Sequence, residues 1–176
     1  VASVMQFVAY ELVKNPDIQK KLQKEIDEVN NSLKGETLTY EHIQNMKYLD
    51  MVVSETMRLW PAAPMADRIC TRDFTLDIDG KKVDFEVGRN FYIPIYNIHN
   101  DSRNFLNPHK FDPERFSDEN KEKINQDAYM PFGIGPRNCI GSRFALLEVK
   151  TIFYYLLLNF NFEATKKTDI PIKFAK

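Results

Sequence analysis

The stretch Phe132-Gly-Ile-Gly-Pro-Arg-Asn-Cys-Ile-Gly141 reads as a rigid loop that delivers one cysteine, Cys139, to the start of a helix. That helix is announced by Ser142-Arg-Phe-Ala-Leu-Leu-Glu-Val-Lys150. A thiol at a helix N-terminus meets positive partial charge and unpaired backbone N–H groups. Both favour the thiolate, the form that ligates metal. Gly133, Gly135 and Gly141 lack a Cβ, so backbone there can approach a large flat partner closely. Pro136 stiffens the turn before the cysteine. Arg137 sets a permanent cation two residues from the sulfur, available to an anionic group on that partner. A planar, carboxylate-bearing, iron-containing partner fits all of these features, and haem is such a partner.

The register Phe132-x-x-Gly135-x-Arg137-x-Cys139-x-Gly141 resembles the haem-binding loop of the cytochrome P450 monooxygenases. A buried structural cysteine beside a glycine-rich turn is the plainer reading of a lone cysteine. Five positions in register, followed by a helix, outweigh it. Two further segments agree. Glu55-Thr-Met-Arg58 places a carboxylate and a guanidinium three residues apart, on one helical face. As an exposed pair it would contribute little, but Met51, Val52, Val53, Met57, Leu59 and Trp60 make its surroundings apolar. A buried pair needs further partners to offset desolvation, and Phe111-Asp-Pro-Glu-Arg-Phe116 offers one. The resemblance implies that Glu55, Arg58 and Arg115 form a structural triad behind the haem, holding the loop rather than performing bond-making chemistry.

Asp67-Arg-Ile-Cys70 follows Trp60-Pro-Ala-Ala-Pro64. The resemblance implies that Arg68 pairs with a haem propionate; a solvated strand arginine is the alternative. It also implies that Ala62, Ala63, Pro64, Met65 and Ala66 line the substrate side. These residues are small and apolar, which suits a lipophilic substrate better than a charged one. Ile170, Pro171 and Ile172 either touch substrate, by the same resemblance, or pack in the core.

Composition narrows the alternatives. The chain has 176 residues, enough for one domain with a real core; the resemblance implies that the whole of 1–176 is the C-terminal part of a single cytochrome P450 domain. A formal net charge of -1 argues against a general nucleic-acid binder. Two cysteines do not suggest a disulfide framework, and Cys70 reads as a small buried residue. His42, His99 and His109 are scattered singly, without the helical spacing of a zinc site, so each reads as structural or solvated.

The first thirteen residues are apolar but short of a bilayer span, and they lack the basic leader of a signal peptide. No capping residue precedes Val1, so the expectation is a chain cut inside a helix. The resemblance places Val1 just beyond the acid–threonine pair that helps deliver protons to bound oxygen. No residue matches that threonine, and Ser3 is not assigned to it.

The fold expectation is α+β, mainly α: helices plus small β-sheets, with the haem-binding loop before a long helix. Helices are expected over residues 1–13, 17–29, 48–59 and 141–158. The stripe Ile18, Leu22, Ile26 and Val29 marks the inner face of the second. Thr39-x-x-His42 opens a short turn. Strands are expected over 74–78 and 83–87 around Asp79-Gly80, over 91–96 with Pro94 at an edge, and over 161–164 and 170–174. Residues 97–130 form a long irregular segment, as the resemblance also implies.

By resemblance the cofactor is haem b, iron protoporphyrin IX, with Cys139 as axial thiolate and Arg68, Phe132, Gly135, Arg137 and Gly141 around it. The activity is insertion of one atom of O2 into a lipophilic compound. No dinucleotide fingerprint is present, so electrons come from outside the chain; the resemblance implies NADPH by way of a flavoprotein reductase. Lys121, Lys123, Arg137, Arg143 and Lys150 are candidates to attract its acidic surface, or form an ordinary solvated face. Leu59-Trp-Pro-Ala-Ala-Pro64 and Asn159-Phe-Asn-Phe-Glu163 resemble the microsomal enzymes, among them drug-metabolising enzymes of vertebrates and detoxification enzymes of insects. This implies a foreign compound as substrate and the cytoplasmic face of the endoplasmic reticulum membrane, reached through an N-terminal anchor outside this sequence. The rival functions are a haem-thiolate isomerase or reductase that does not monooxygenate, and a truncated, catalytically incompetent product.

Overall fold

A computed structural model of the chain describes residues 1–173. The first helix, α1 (Ala2–Lys14), ends at Asn15, because the residue before a proline is driven out of the helical region. Pro16 then opens α2 (Pro16–Ser32), where its missing N–H costs nothing. Leu22 and Ile26 on the α2 stripe are fully buried, with Ile18 and Val29 packed beside them.

The short helix α3 (Tyr40–Asn45) is fixed by a reciprocal cap. The His42 N–H donates to Thr39 Oγ1, and the Thr39 N–H donates to His42 Nδ1. Helix α4 (Lys47–Leu59) has no such cap of its own, since Met46 precedes it. The carboxylate of Glu25, reaching across from α2, accepts the N–H groups of Tyr48 at 2.7 Å and Leu49 at 2.9 Å. Replacing Glu25 with alanine is therefore expected to destabilise the fold by about 1–2 kcal/mol, the usual cost of a lost N-cap. Urea unfolding measures this; a shift below about 0.3 kcal/mol would mean that water caps α4 equally well.

Helix α4 is buried almost all round, from Tyr48 through Leu59. It packs on α1, α2 and the long C-terminal helix α6 (Ser142–Asn159), around Val8, Leu12, Leu49, Val52, Val53 and Phe153. Two small antiparallel sheets lie beside the helices. Strand β1 (Ala66–Ile69) pairs with β4 (Asn90–Ile93), Arg68 facing Phe91. Strand β2 (Phe74–Ile78) pairs with β3 (Lys81–Phe85) through a tight turn at Asp79 and Gly80. Both turn residues have positive φ, 51° and 77°, as a two-residue hairpin loop requires. The rings of Phe74 and Phe85 stack at 5.0 Å, and Phe91 joins them.

The elements differ from the sequence expectation in several places. Strand β3 begins at Lys81, not residue 83, because the turn brings Lys81 opposite Ile78. The strand expected over 91–96 stops at Ile93, and residues Ile95–His99 form a short helix, α5. Pro94 has no N–H for the ladder, and the Tyr96 N–H donates instead to the Pro64 carbonyl at 2.9 Å. Residues 161–164 form no strand, because Phe162 bonds a side chain: Gln19 takes its N–H at 2.7 Å and donates to its C=O at 3.0 Å. Residues 170–173 form none either, and the Ile172 N–H donates to the Tyr10 hydroxyl. The last residue of that expected strand, Phe174, lies outside the described residues.

Residues 100–130 are irregular, the expected segment losing 97–99 to α5, with short 3-10 turns at Pro113–Phe116, Lys121–Lys123 and Gln126–Ala128. They close over a small second core of Phe105, Ile124 and Ala128. Among the described residues no helix is long and apolar enough to cross a membrane.

Candidate haem site

The thiol loop is a set of nested turns. Gly133 N–H donates to the Met130 carbonyl at 3.1 Å, Asn138 N–H to Gly135 at 3.2 Å, and Cys139 N–H to Phe132 at 2.9 Å. Gly133 and Gly135 have φ of 73° and 76°, values that a side chain would resist. Pro136 sits inside the 3-10 turn Gly135–Arg137. The loop ends at Gly141, from which α6 starts with no side-chain cap on its first amides. Cys139 is exposed just before that positive helix end. Nothing lies within 4 Å of the position a Cβ would take on Gly141, so that side of the loop is open.

Beside the loop is a cavity of about 530 Å³. Cys139, Phe132, Gly133 and Arg137 form its loop wall, and Ala145, Leu146 and Val149 of α6 continue it. Val53 and Met57 of α4, Val4 of α1, and Ile95 close the far side, with Ala62, Ala63, Ala66 and Arg68 along the rim. Arg68 reaches it from β1, and its Nη1 donates only to the neighbouring Asp67 carbonyl. Among the described residues neither Arg68 nor Arg137 has a carboxylate partner.

One thiol, two guanidinium groups on separate elements and apolar walls match what haem presents: an iron, two propionates and hydrocarbon faces. The donor set fits no metal held by side chains alone, since no group of three or more His, Cys, Asp or Glu converges among the described residues. The residues present thus fit haem.

Behind the loop, Glu55 and Arg58 form a fully buried, two-pronged pair. Arg58 Nε lies 2.7 Å from Glu55 Oε2 and Nη2 lies 2.9 Å from Oε1. Arg58 Nη1 and Nη2 also donate to the carbonyls of His99 and Pro108, each at 2.7 Å. The Asp112 N–H donates to Glu55 Oε1 at 3.0 Å. Arg115 approaches with Nε 3.4 Å from Glu55 Oε2, making no hydrogen bond there, while its Nη1 donates to the Leu106 carbonyl. Burial pushes the Glu55 carboxyl up from its ordinary range, and Arg58, the Asp112 N–H and Arg115 pull against it. The three residues expected together from the sequence do meet in space.

Other expected residues are distributed as follows. Ala63 and Ala66 line the cavity; Pro64, Met65, Ile170 and Pro171 are not among its walls. Cys70 is buried, its Sγ 2.9 Å from the Arg72 carbonyl, away from Cys139's cavity. Lys150 requires correction as a docking cation: its side chain is only 3% exposed and its ammonium is held by Asp50. Lys150 falls on the buried side of α6, next to Val149, so helical phase turns it inward. Lys121 is exposed but paired with Asp118, while Lys123 and Arg143 stand at the surface.

The sequence reading left His99 as one scattered histidine. In the structure it is fully buried between α4 and the thiol loop, bonded to backbone at both ring nitrogens. Backbone partners leave no side-chain signature, so no spacing rule exposes it.

Residues 1–176 match the family described as Cytochrome P450. The chain is 52% identical over 172 residues to a probable cytochrome P450 9f2 of Drosophila melanogaster, covering 98% of this chain and 33% of that protein. It is 50% identical over 175 residues to cytochrome P450 9e2 of Blattella germanica, covering 99% and 32%. It is 43% identical over 175 residues to cytochrome P450 3A16 of Mus musculus, covering 99% and 34%. The chain thus spans about a third of the length of the curated relatives it matches. With the thiol loop, the buried Glu55–Arg58 pair and a whole-chain match agreeing, this chain belongs to the cytochrome P450 family.

Proposed function

We propose that the protein is the haem-holding portion of a monooxygenase, with Cys139 as the thiolate ligand of the iron of haem b. The observation that carries this reading is the placement on one apolar cavity of an exposed thiol and two guanidinium groups, Arg68 and Arg137, with no carboxylate partner among the described residues. When bound, haem would supply the activation of O2, one atom of which enters a C–H or double bond of the substrate while the other leaves as water, with two electrons from NADPH and two protons.

The chain's own residues bind and orient. Cys139, just before the positive end of α6, is aimed by the Phe132 carbonyl, which accepts its backbone N–H. Phe132 lines the cavity beside Cys139 and, with haem bound, would limit the access of water to the sulfur, which tunes the potential of a bound metal. Arg68 and Arg137 hold the two propionates from opposite elements, and Gly135 and Gly141 leave room for the ring. Glu55, Arg58 and Arg115 hold the scaffold behind the loop. Val53, Met57, Ala62, Ala63 and Ala66 make a wall suited to a lipophilic substrate, and a foreign compound is the substrate class we favour. Pro64, Met65, Ile170 and Pro171 would extend that wall once further chain covers it.

We also propose an NADPH-dependent flavoprotein reductase as electron donor, attracted by exposed cations among Lys123, Arg137 and Arg143. The endoplasmic reticulum membrane, at its cytoplasmic side, is the proposed location. Residues 1–176 are read as the C-terminal portion of one domain.

The test is an absorption spectrum of the haem-loaded protein, reduced under carbon monoxide, followed by turnover of a lipophilic compound with NADPH and reductase. A strongly red-shifted Soret band with oxygenated product is the expected result. A thiolate band without oxygenated product would favour isomerase or reductase chemistry, and absence of the band would remove the thiolate reading.

A further inference from the structure

His99 connects the buried Glu55–Arg58 helix to the root of the thiol loop. Its ring is fully buried at the end of α5. Nδ1 lies 3.1 Å from the Arg58 carbonyl, and Nε2 lies 2.9 Å from the Met130 backbone nitrogen. A carbonyl only accepts and an amide N–H only donates. The ring must therefore carry its proton on Nδ1 and offer a lone pair from Nε2, and both bonds exist together only for the neutral ring in that tautomer.

From Met130 the connection continues into the loop. The Met130 carbonyl accepts the Gly133 N–H, and two residues on, the Phe132 carbonyl accepts the N–H of Cys139. The His99 backbone is also pinned, since its carbonyl accepts Arg58 Nη1 at 2.7 Å. A second proton on the ring would set an N–H on Nε2 against the N–H of Met130, two donors facing each other in a buried place.

The charged surroundings act in the same sense. Helix α4 presents the Arg58 guanidinium, with Glu55 paired behind it. The segment before the loop presents Tyr129, stacked 5.6 Å from the ring, and the irregular segment presents only the apolar edge of Phe105. Within α5 itself Tyr96 is the other titratable side chain. Burial, and then the positive charge of Arg58, hold the imidazole down at about 4 from its ordinary 6.5, against the carbonyl bonds that favour the cation.

We propose that His99 is a positioning residue for Cys139: its neutral ring latches Met130, and with it the thiol loop, to α4, and acid releases the latch. The consequence for haem rests on the reading of Cys139 as the iron ligand; the latch itself does not. A histidine whose pKa is lowered in the closed state strengthens that state above its ordinary value and weakens it as pH falls from there through the lowered one. The latch is thus whole above about pH 6.5 and is lost progressively toward pH 4. Within that window the opening equilibrium at Met130 rises by about tenfold per pH unit.

The experiment uses the haem-loaded protein at its full natural length, as wild type, His99→Gln and His99→Phe. Glutamine offers an acceptor that does not titrate; phenylalanine fills the space with no acceptor. Hydrogen exchange of the Met130 amide, corrected for its intrinsic pH dependence, is read between about pH 7.5 and pH 5 together with the thiolate-type Soret band of the reduced carbon monoxide complex. The expected result is wild-type opening that grows about tenfold per unit below pH 6.5, with the band declining once the open form becomes a sizeable fraction. His99→Gln flattens both profiles, and His99→Phe opens Met130 at every pH. Equal pH profiles for wild type and His99→Gln would overturn the latch. If His99→Gln does not fold, NMR titration of the wild-type ring decides: an ordinary value near 6.5 overturns it and a lowered one sustains it. Absence of a thiolate band at any pH, with the exchange profile as expected, would remove the haem-ligand reading and leave the latch standing.

Discussion

Replacing Arg58 with alanine is expected to destabilise the protein by about 3–5 kcal/mol, the cost of breaking a buried ion pair from one side. Both side chains are fully buried, so solvent does not screen the loss. The Glu55 carboxylate would keep only the Asp112 N–H and the distant Arg115. The carbonyls of His99 and Pro108 would lose their donor in the same step. Unpaired buried acceptors add about 1–3 kcal/mol each where water cannot reach them. The total is a large part of the roughly 5–15 kcal/mol that holds a domain folded. Arg58→Lys should recover less than half of the loss, because one ammonium cannot span a carboxylate and two carbonyls on separate segments. Urea unfolding of both variants, with Glu55→Gln and the double variant Glu55→Gln/Arg58→Ala, closes the cycle. Strong non-additivity is expected between residues bonded at 2.7 and 2.9 Å. Additive losses would mean that the two act separately.

Replacing Cys139 with serine is expected to have the opposite profile: near-complete loss of function with little loss of stability. The side chain is exposed and its only loop bond is through the backbone N–H, which serine keeps. Surface changes of this kind stay within about 0.5 kcal/mol. The hydroxyl, however, is not a thiolate, and electron donation from sulfur to iron is what favours cleavage of the O–O bond. The red-shifted band should vanish, and product formation should fall to the background set by reductase alone. Cys70→Ser is the control. Its sulfur is buried beside the Arg72 carbonyl, away from the cavity, so the band should persist. If Cys139→Ser retained the band, the iron ligand would lie elsewhere.

Much of the site was legible along the chain because its parts are local. The loop from Phe132 to Gly141 carries its turns, its glycines and its cysteine within one short run, and the helix after it begins where expected. Glu55 and Arg58 share one turn of α4, so their pairing follows from helical geometry alone. The Asp79-Gly80 hairpin announced itself through backbone demands that few residues meet. The misread segments share a different cause. Residues 94–96, beyond the real strand β4, and residues 161–164 have strand-like composition, but backbone hydrogen bonds decide strands, and Tyr96 and Phe162 found the Pro64 carbonyl and the Gln19 side chain instead.

Local order in the chain determined the thiol loop, the helices and the identity of the charges around them, because turn, cap and stripe are short-range properties of neighbouring residues. Tertiary packing alone decided that Arg68 and Arg137 face one cavity, that Lys150 turns inward to Asp50, and that Glu25 of α2 caps α4. It also decided that His99 bridges α4 and Met130, across 41 and 31 residues of sequence. The physical reason is the same in each case: these contacts are made between groups far apart along the chain, often with backbone atoms that every residue carries, and only the folded core brings them within bonding distance.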